Sequence, residues 1–161
     1  MIAKIALVLG IITLDRLVKH YVFTNFALGE MRSFLPGLMD LTYHQNTGMA
    51  FSFLNNHQWV PTLMAPLLII GLGIALARGA FPSKIQQYSL LAIMAGGFSN
   101  WMSRIMYGFV VDMFSFAFVR FAVFNVADIF ITCAAVLFGI SYVMEERKRK
   151  KDEKEMEVSD G

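Results

Sequence analysis

Long apolar runs recur along the chain, and four of them have the length that a membrane-crossing helix requires. A bilayer core takes about 20 apolar residues in helical form. The runs cover residues 2–23, 59–77, 88–107 and 125–144. The two longest connections, at about 24–58 and 108–124, lie after the first and third runs. The pattern predicts an all-α membrane protein with four transmembrane helices in one domain, residues 1–144, followed by a charged tail, residues 145–161.

The first long connection also carries a strand pattern. Residues 38–44 and 49–54 are rich in apolar and aromatic side chains, and Asn46-Thr47-Gly48 lies between them. Asn and Gly tolerate the positive φ of a tight turn, so a β-hairpin is predicted here. Residues 109–116 are a further candidate strand. A small sheet of this kind satisfies its backbone groups outside the hydrocarbon, which predicts a β-cradle on the membrane surface.

Composition supports a lipid environment, and the charge distribution orients the helices in it. The chain is 57% hydrophobic and 16% charged, whereas soluble domains are about half apolar and a quarter charged. Lys4, Arg78, Lys84 and a basic cluster in the tail share one side of a four-span arrangement, and the other side keeps only Arg32 and Arg120. Basic residues favour the cytoplasmic side, so both termini are expected in the cytoplasm and both long connections outside. The tail is expected to be solvated and partly disordered.

Two sets of polar residues at membrane depth are explained by helical spacing. Asp15 and Lys19 are four residues apart, so they share a helix face and can form an ion pair. Arg16 lies off that face and is expected to extend toward the membrane surface. In the third run, small and then polar residues recur every four positions. This stripe predicts a packing face whose polar end points into the bundle: Ala92, Gly96, Asn100 and Arg104.

Asp112 and Asp128 are the candidate catalytic residues. Asp112 ends a strand-like apolar run, and Asp128 lies in the first turn of the fourth helix, three residues after Asn125. Asn125 is a good N-cap, so Asp128 is also explained as a capping acid near the positive end of the helix dipole. The predicted topology brings both acids to the same membrane surface. Two adjacent carboxyls share a proton, which equips one as a base toward water and the other as an acid toward a carbonyl.

Other catalytic arrangements have no support in the sequence. The histidines lack the spacing of a metal-binding helix motif, and neither a serine nucleophile elbow nor a phosphate-binding loop is present. The lone cysteine, Cys133, excludes an intramolecular disulfide. The net charge of +2 gives no indication of a nucleic-acid partner.

The chain resembles the lipoprotein signal peptidases, also called signal peptidase II, over nearly its whole length to about Met144. Each matching stretch is short, and their order and placement on four spans make the combination specific. They are Leu14-Asp15 with Lys19, Gln45-Asn46-Thr47-Gly48-Met49-Ala50-Phe51-Ser52, Gly96-Gly97 with Asn100 and Arg104, Gly108-Phe109-Val110-Val111-Asp112, and Phe124-Asn125-Val126-Ala127-Asp128.

The resemblance implies a bacterial cell-membrane enzyme with a small extracytoplasmic β-cradle. It would remove the signal peptide from prolipoproteins, just before a cysteine that carries diacylglyceryl. Asp112 and Asp128 would be the catalytic dyad, and Asp15 and Lys19 would support the first helix. The resemblance implies no metal or organic cofactor, and a monomer in contact with membrane lipid and prolipoprotein is expected. The residues implied to position the dyad or the substrate are Asn46, Gly48, Asn100, Arg104, Asn125 and Ala127.

Two positions depart from the family pattern. Aspartate usually precedes the motif arginine, and here that position is Ser103; glutamine commonly follows the first motif aspartate, and here that position is Arg16. If the missing acid normally holds Arg104, this chain orients Arg104 in another way. The charged residues at membrane depth and the departure at Ser103 leave two further functions open beside the peptidase. One is a small ion or proton carrier that uses Asp15, Lys19 and Arg104, and the other is an inactive relative that only binds lipoproteins.

Overall fold

A computed structural model describes residues 1–48 and 59–159 of the chain. In these residues the fold consists of helices that carry a small antiparallel sheet at one end. The helices are α1 (Ile2–Asn25), α2 (Trp59–Ala77), α3 (Lys84–Tyr107) and α4 (Val126–Ser159), and the strands are β1 (Met31–Leu35), β2 (Met39–Asn46) and β3 (Val110–Phe116).

Each of the four predicted apolar runs is a helix. By length and composition, two of the described helices are apolar enough to cross a membrane, at Trp59–Ala77 and Val126–Met156. α1 and α3 are less apolar because they also contain polar side chains that are buried inside the protein, among them Asp15, Gln86 and Asn100. The four-span arrangement therefore stays a prediction, while the helical fold is established.

α3 is the central helix, and it packs against the other three. Its contact with α4 depends on Gly96, where an added Cβ would lie 2.8 Å from the backbone oxygen of Ala127 and 2.8 Å from Ile131. The face toward α1 and α4 is also built from small side chains, including Ala92 and Ala95. The predicted small-residue face of this helix is thus the one that draws α4 close.

α2 lies at the side of the bundle and packs on α3. The indole N–H of Trp101 donates to the backbone oxygen of Thr62 at 2.9 Å, which ties the two helices together. The other side of α2 is apolar and exposed. It presents Leu63, Leu67, Leu68, Ile70 and Ile74.

The sheet has the order β1-β2-β3 and is seated on the end of α1. Val22 of α1 and Phe26, which directly follows the helix, pack with Tyr43, Val111 and Met113 of the strands in one apolar cluster. The predictions of strands at 38–44 and 109–116 are confirmed by β2 and β3. The second hairpin strand predicted at 49–54 lies outside the described residues.

β1 was not predicted, although the sequence contains its turn signal. Pro36-Gly37 separates β1 from β2, and Gly37 has a φ of 75°, which glycine adopts without strain. The described partners of β2 are therefore β1 and β3.

The charged tail, which the sequence predicts to be partly disordered, is helical to Ser159. Its Glu, Lys and Arg residues have good helix propensity, and ion pairs one turn apart link them, such as Arg149–Glu146 at 2.9 Å. The side chains from Arg147 to Met156 are exposed, in keeping with a solvated segment.

Candidate active site

Asp112 and Asp128 come from separate elements into one place. Phe114 of β3 pairs with Phe124: the N–H of Phe114 donates to the backbone oxygen of Phe124 at 2.8 Å, and the N–H of Phe124 donates to the backbone oxygen of Phe114 at 3.1 Å. This bridge holds the segment before α4 beside β3. Asn125 follows directly, and Asp128 lies in the first turn of α4. As a result both carboxyls line the same cavity.

Asn125 links the two carboxyls. Its side-chain Nδ2 donates to Asp112 at 2.6 Å, and its backbone N–H donates to Asp128 at 3.1 Å. Its Oδ1 accepts the backbone N–H of Asp128 at 3.0 Å. This reciprocal pattern is an N-cap arrangement. Asp128 is therefore a capping acid that also lines the shared cavity, so its capping function does not exclude a catalytic one.

Each carboxyl has a further amide donor. Nδ2 of Asn46 donates to Asp112 at 2.8 Å, and Nδ2 of Asn100 donates to Asp128 at 2.9 Å. Both oxygens of each carboxyl thus accept hydrogen bonds from groups that do not titrate. The amides fix the orientation of the carboxyls and leave the exchangeable protons to the acids themselves.

The environment of Asp112 makes its ionisation unfavourable. Burial, with the negative charge of Asp128 as the next cause, raises the pKa of Asp112 from 3.8 to about 6. The hydrogen bonds from Asn46 and Asn125 oppose this rise, because they stabilise the ionised form. A raised pKa of one carboxyl beside the other is the property expected of a carboxyl pair.

Behind the dyad lies a buried ion pair between Asp15 and Lys19. Nζ of Lys19 lies 2.6 Å from Oδ2 of Asp15. Asp15 also accepts hydrogen bonds from the hydroxyl of Ser99 at 2.6 Å and from the backbone N–H of Ala127 at 2.8 Å. Lys19 donates to Asn100 at 2.6 Å. A continuous chain of hydrogen bonds therefore runs from α1 through Asn100 to Asp128.

Arg104 reaches the site without help from residue 103. Its guanidinium donates to the backbone oxygen of Gly48 at 3.0 Å and to that of Asn100 at 3.5 Å. Gly48 is itself fixed by an N–H bond to Asn46 at 2.9 Å. Nε of Arg104 is buried and has no hydrogen-bond partner among the described residues. An unpaired buried N–H is rare and marks a place where a further hydrogen-bond partner is expected.

Ser103 faces away from Arg104. Its hydroxyl donates to the backbone oxygen of Ser99 at 3.1 Å and accepts a bond from Arg16 at 3.3 Å. The two departures from the family pattern are therefore in contact with each other. Sequence reasoning missed this pair and also Ser99. A signal was present, because Ser99, Ser103 and Tyr107 recur every four residues on α3, directly beside the stripe that was noticed.

The cavity has a volume of about 540 Å³ and two different ends. The polar end carries the dyad with Asn46, Asn100, Arg104 and Asn125. The rest of the wall is mainly apolar and includes Val110, Phe116, Phe121, Phe124, Ile129 and Ile131. The cavity therefore places two carboxyl groups beside a largely apolar surface. In the part of the chain that the structure describes, no group of three or more His, Cys, Asp or Glu is gathered as metal ligands.

Comparison with known proteins assigns the family. The family model for signal peptidase (SPase) II matches residues 7–144. The chain belongs to the signal peptidase II family. It is 40% identical over 140 residues to a lipoprotein signal peptidase of Streptococcus pneumoniae, which covers 87% of this chain and 92% of that protein. It is 39% identical over 137 residues to one of Streptococcus pyogenes serotype M5, covering 84% and 90%.

Solved structures agree with the fold of this signal peptidase II family member. Two structures described as a bacterial membrane enzyme superpose with TM-scores of 0.85 and 0.80, each at 22% identity. The first covers 91% of this chain and 90% of its own, and the second 88% and 93%. The family makes the protein a membrane-associated peptidase, as the resemblance in the sequence implied.

Proposed function

We propose that this protein is a membrane-embedded aspartic endopeptidase that removes the signal peptide from diacylglyceryl-modified prolipoproteins, cleaving just before the lipidated cysteine. The observation that carries the proposal is the linkage of Asp112 and Asp128 through Asn125 at the polar end of a largely apolar cavity. The family and the names of its relatives supply the class of substrate.

The chemistry follows from a proton shared by the dyad. With one proton on the pair, the ionised carboxyl takes a proton from a water molecule while the protonated one polarises the scissile carbonyl. Asn46 and Asn125 hold Asp112, and Asn100 and the backbone of Asn125 hold Asp128. The carboxyls therefore enter the reaction already oriented, which reduces the reorganisation needed in the transition state.

Arg104 and the apolar wall are the proposed substrate contacts. Nε of Arg104 is the one described buried side-chain polar atom without a partner, and a backbone carbonyl of the substrate would satisfy it. The apolar wall around Phe116, Phe124 and Ile129 suits the diacylglyceryl group and the apolar signal peptide. The remaining support is structural: Asp15 and Lys19 hold the start of α4 through Ala127 and the dyad through Asn100.

The proposed location is the bacterial cell membrane, with four spans, both termini in the cytoplasm and the dyad outside. The exposed apolar side chains of α1, α2 and α4 suit a lipid environment. The ion-carrier alternative has less support, because Asp15 is fully enclosed and accepts bonds from Lys19, Ser99 and Ala127. That is the arrangement of a structural ion pair more than of a relay.

The proposal is tested with a diacylglyceryl-modified precursor and the purified protein in detergent. Asp112→Asn and Asp128→Asn keep the side-chain shape and remove the titrating groups. Each is expected to lower kcat/KM by roughly 10²–10⁴-fold, the usual contribution of general acid–base catalysis. Asp40→Asn is the matched control, because Asp40 lies in β2 opposite Ser115 and does not line the cavity.

The outcomes separate the dyad from its alternatives. Undiminished cleavage by either cavity variant would exclude the dyad, and equal losses in all three variants would point to general destabilisation. A wild-type protein that binds the precursor and never cleaves it would support the inactive relative. In that case Ser103→Asp would have to create the missing activity.

A further inference from the structure

A second cavity, of about 390 Å³, lies between α1 and α3. Val111 of β3 forms part of its wall, whereas the next residue, Asp112, lines the active-site cavity. Alternate residues of a strand face opposite sides, so the strand separates the two cavities. Among the described residues, the lining of this second cavity contains three basic side chains, Arg16, Lys19 and His20, and no acidic one.

Arg16 has only neutral partners in this cavity. Its guanidinium donates to the hydroxyl of Ser103 at 3.3 Å and to that of Tyr107 at 3.2 Å, and it contacts the sulfur of Met106 at 3.5 Å. Its Cζ also lies 5.5 Å from the centroid of the Tyr107 ring. These contacts hold the guanidinium in place, and none of them neutralises its charge.

The protein offers no acid to Arg16 within its described part. Asp15 is paired with Lys19 at 2.6 Å, and Asp112 and Asp128 line the other cavity. Residues 49–58 contain no Asp or Glu, so that segment supplies no carboxylate either. An arginine near the hydrocarbon of a bilayer requires an anion or access to head groups. The missing anion is therefore expected to come from outside the chain.

In the proposed topology, the guanidinium of Arg16 lies at the level of the lipid head groups. It reaches Tyr107, the last residue of α3, and the aromatic rings of Phe23 and Tyr107 stack beside it, with centroids 5.9 Å apart. Tyrosines and arginines at a helix end are typical of the interface between hydrocarbon and water. A guanidinium also binds phosphate oxygens in a forked geometry that suits a phosphodiester.

We propose that the cavity between α1 and α3 binds the phosphate of an anionic phospholipid, with Arg16 as its charge partner and Tyr107 and His20 beside it. The proposal rests on the proposed membrane topology and not on the catalytic mechanism. The acyl chains would lie along the exposed apolar face of α1, which presents Leu9 and Leu17. The lipid would thereby supply the negative charge that is absent from position 103, where this chain has Ser103 in place of the usual aspartate.

Native mass spectrometry of the full chain released from detergent tests this site. The variants are made in an Asp112→Asn background, so that lipid retention is read without turnover and failure of the catalytic proposal leaves the result unaffected. Phosphatidylglycerol is expected to remain bound, phosphatidylcholine to bind less, and diacylglycerol with the same acyl chains to be lost. Arg16→Gln is expected to reduce the retained phosphatidylglycerol roughly tenfold, about the effect of one charged contact. Arg120→Gln, an exposed arginine outside the cavity, is the matched control and is expected to change nothing.

A second variant, Ser103→Asp, tests the same site by adding a negative charge instead of removing the positive one. Ser103→Asp places a carboxylate beside Arg16, so it is expected to expel the lipid while Arg16 remains. This variant carries the test if Arg16→Gln fails to fold. Equal retention of lipid by wild type and both variants, or equal retention of diacylglycerol and phosphatidylglycerol, would overturn the proposal. Displacement of the lipid by inorganic phosphate at the same concentration would overturn the lipid as the occupant.

Discussion

At the scale of single residues, Asn125 shows how one side chain serves both the fold and the site. Its Oδ1 caps α4 through Asp128, while its Nδ2 holds Asp112 at 2.6 Å. Its N-cap function was predicted from the sequence, because Asn three residues before an acid at a helix start has a local physical reason. The bond to Asp112 was not predictable in detail. It depends on the Phe114–Phe124 bridge, a long-range contact with no local signature.

The pKa of Asp112 leads to a pH prediction. Because the pKa of Asp112 is raised to about 6, the pair is expected to hold a proton below about that pH and to lose it above. A bell-shaped profile is expected, in which kcat/KM falls about tenfold per pH unit on the basic limb. Asn46→Ala removes a hydrogen bond that lowers the pKa of Asp112, so it is expected to move this limb to higher pH.

Gln45→Ala is the control for this shift. Gln45 is the neighbour of Asn46, and its amide donates to the hydroxyl of Tyr43 at 2.7 Å instead of to the dyad. Its pH profile is expected to match that of the wild type. A rate that is independent of pH between about 4 and 8, or a limb that moves to lower pH in Asn46→Ala, would contradict a shared proton.

At the scale of elements, the close contact between α3 and α4 sets the position of the dyad. The stripe of small residues predicted the packing face, because period-four spacing is visible in any sequence. The sheet was only partly predictable. β2 and β3 have clear apolar patterns, whereas β1 is short, exposed along its whole length and recognisable mainly by its Pro36-Gly37 turn.

Gly96→Ala tests this helix contact. The new Cβ would lie 2.8 Å from the backbone oxygen of Ala127, so the start of α4 must shift away. A loss of about 1–3 kcal/mol in the free energy of unfolding is expected, the usual cost of overpacking, together with lower activity because Asp128 follows Ala127. The measurements are thermal unfolding in one detergent and kcat/KM.

Gly97→Ala is the matched change one residue along the same helix. The nearest atom to its new Cβ is 3.9 Å away, on Ile69, which is an ordinary contact. Alanine also has the higher helix propensity. The variant is therefore expected to be as stable as the wild type or slightly more so. Equal effects of the two substitutions would show that the α3–α4 approach does not position the dyad.

At the scale of the whole molecule, the distribution of charged and apolar residues along the sequence predicts how the helices are oriented in the membrane. The fold adds where the exposed apolar surface lies. The four helices were predictable because long apolar runs are the strongest signal in a membrane sequence. The helical tail was not, because the sequence of a charge run is compatible with both a solvated helix and disorder. The contact between Arg16 and Ser103 was also not predictable, because it joins α1 to α3 and the spacing of residues within one helix does not reveal it.

Cysteine labelling in intact cells tests the orientation. In a Cys133→Ser background, Ser33→Cys in β1 is expected to react with a membrane-impermeant maleimide added outside. Lys154→Cys in the charged end of α4 is expected to react only after the cells are opened, because basic residues favour the cytoplasmic side. The Cys133→Ser protein without a new cysteine is the control for background labelling. Reaction of both positions from the same side would contradict the predicted topology.

The most direct test of the central claim compares Asp112→Asn, Asp128→Asn and the double variant in single-turnover cleavage of a lipidated precursor. If the two carboxyls act as one unit, the double variant is expected to be about as slow as the worse single variant, because groups that act together are strongly non-additive. Losses that multiply in the double variant, or a single variant that cleaves at the wild-type rate, would contradict a catalytic dyad of Asp112 and Asp128.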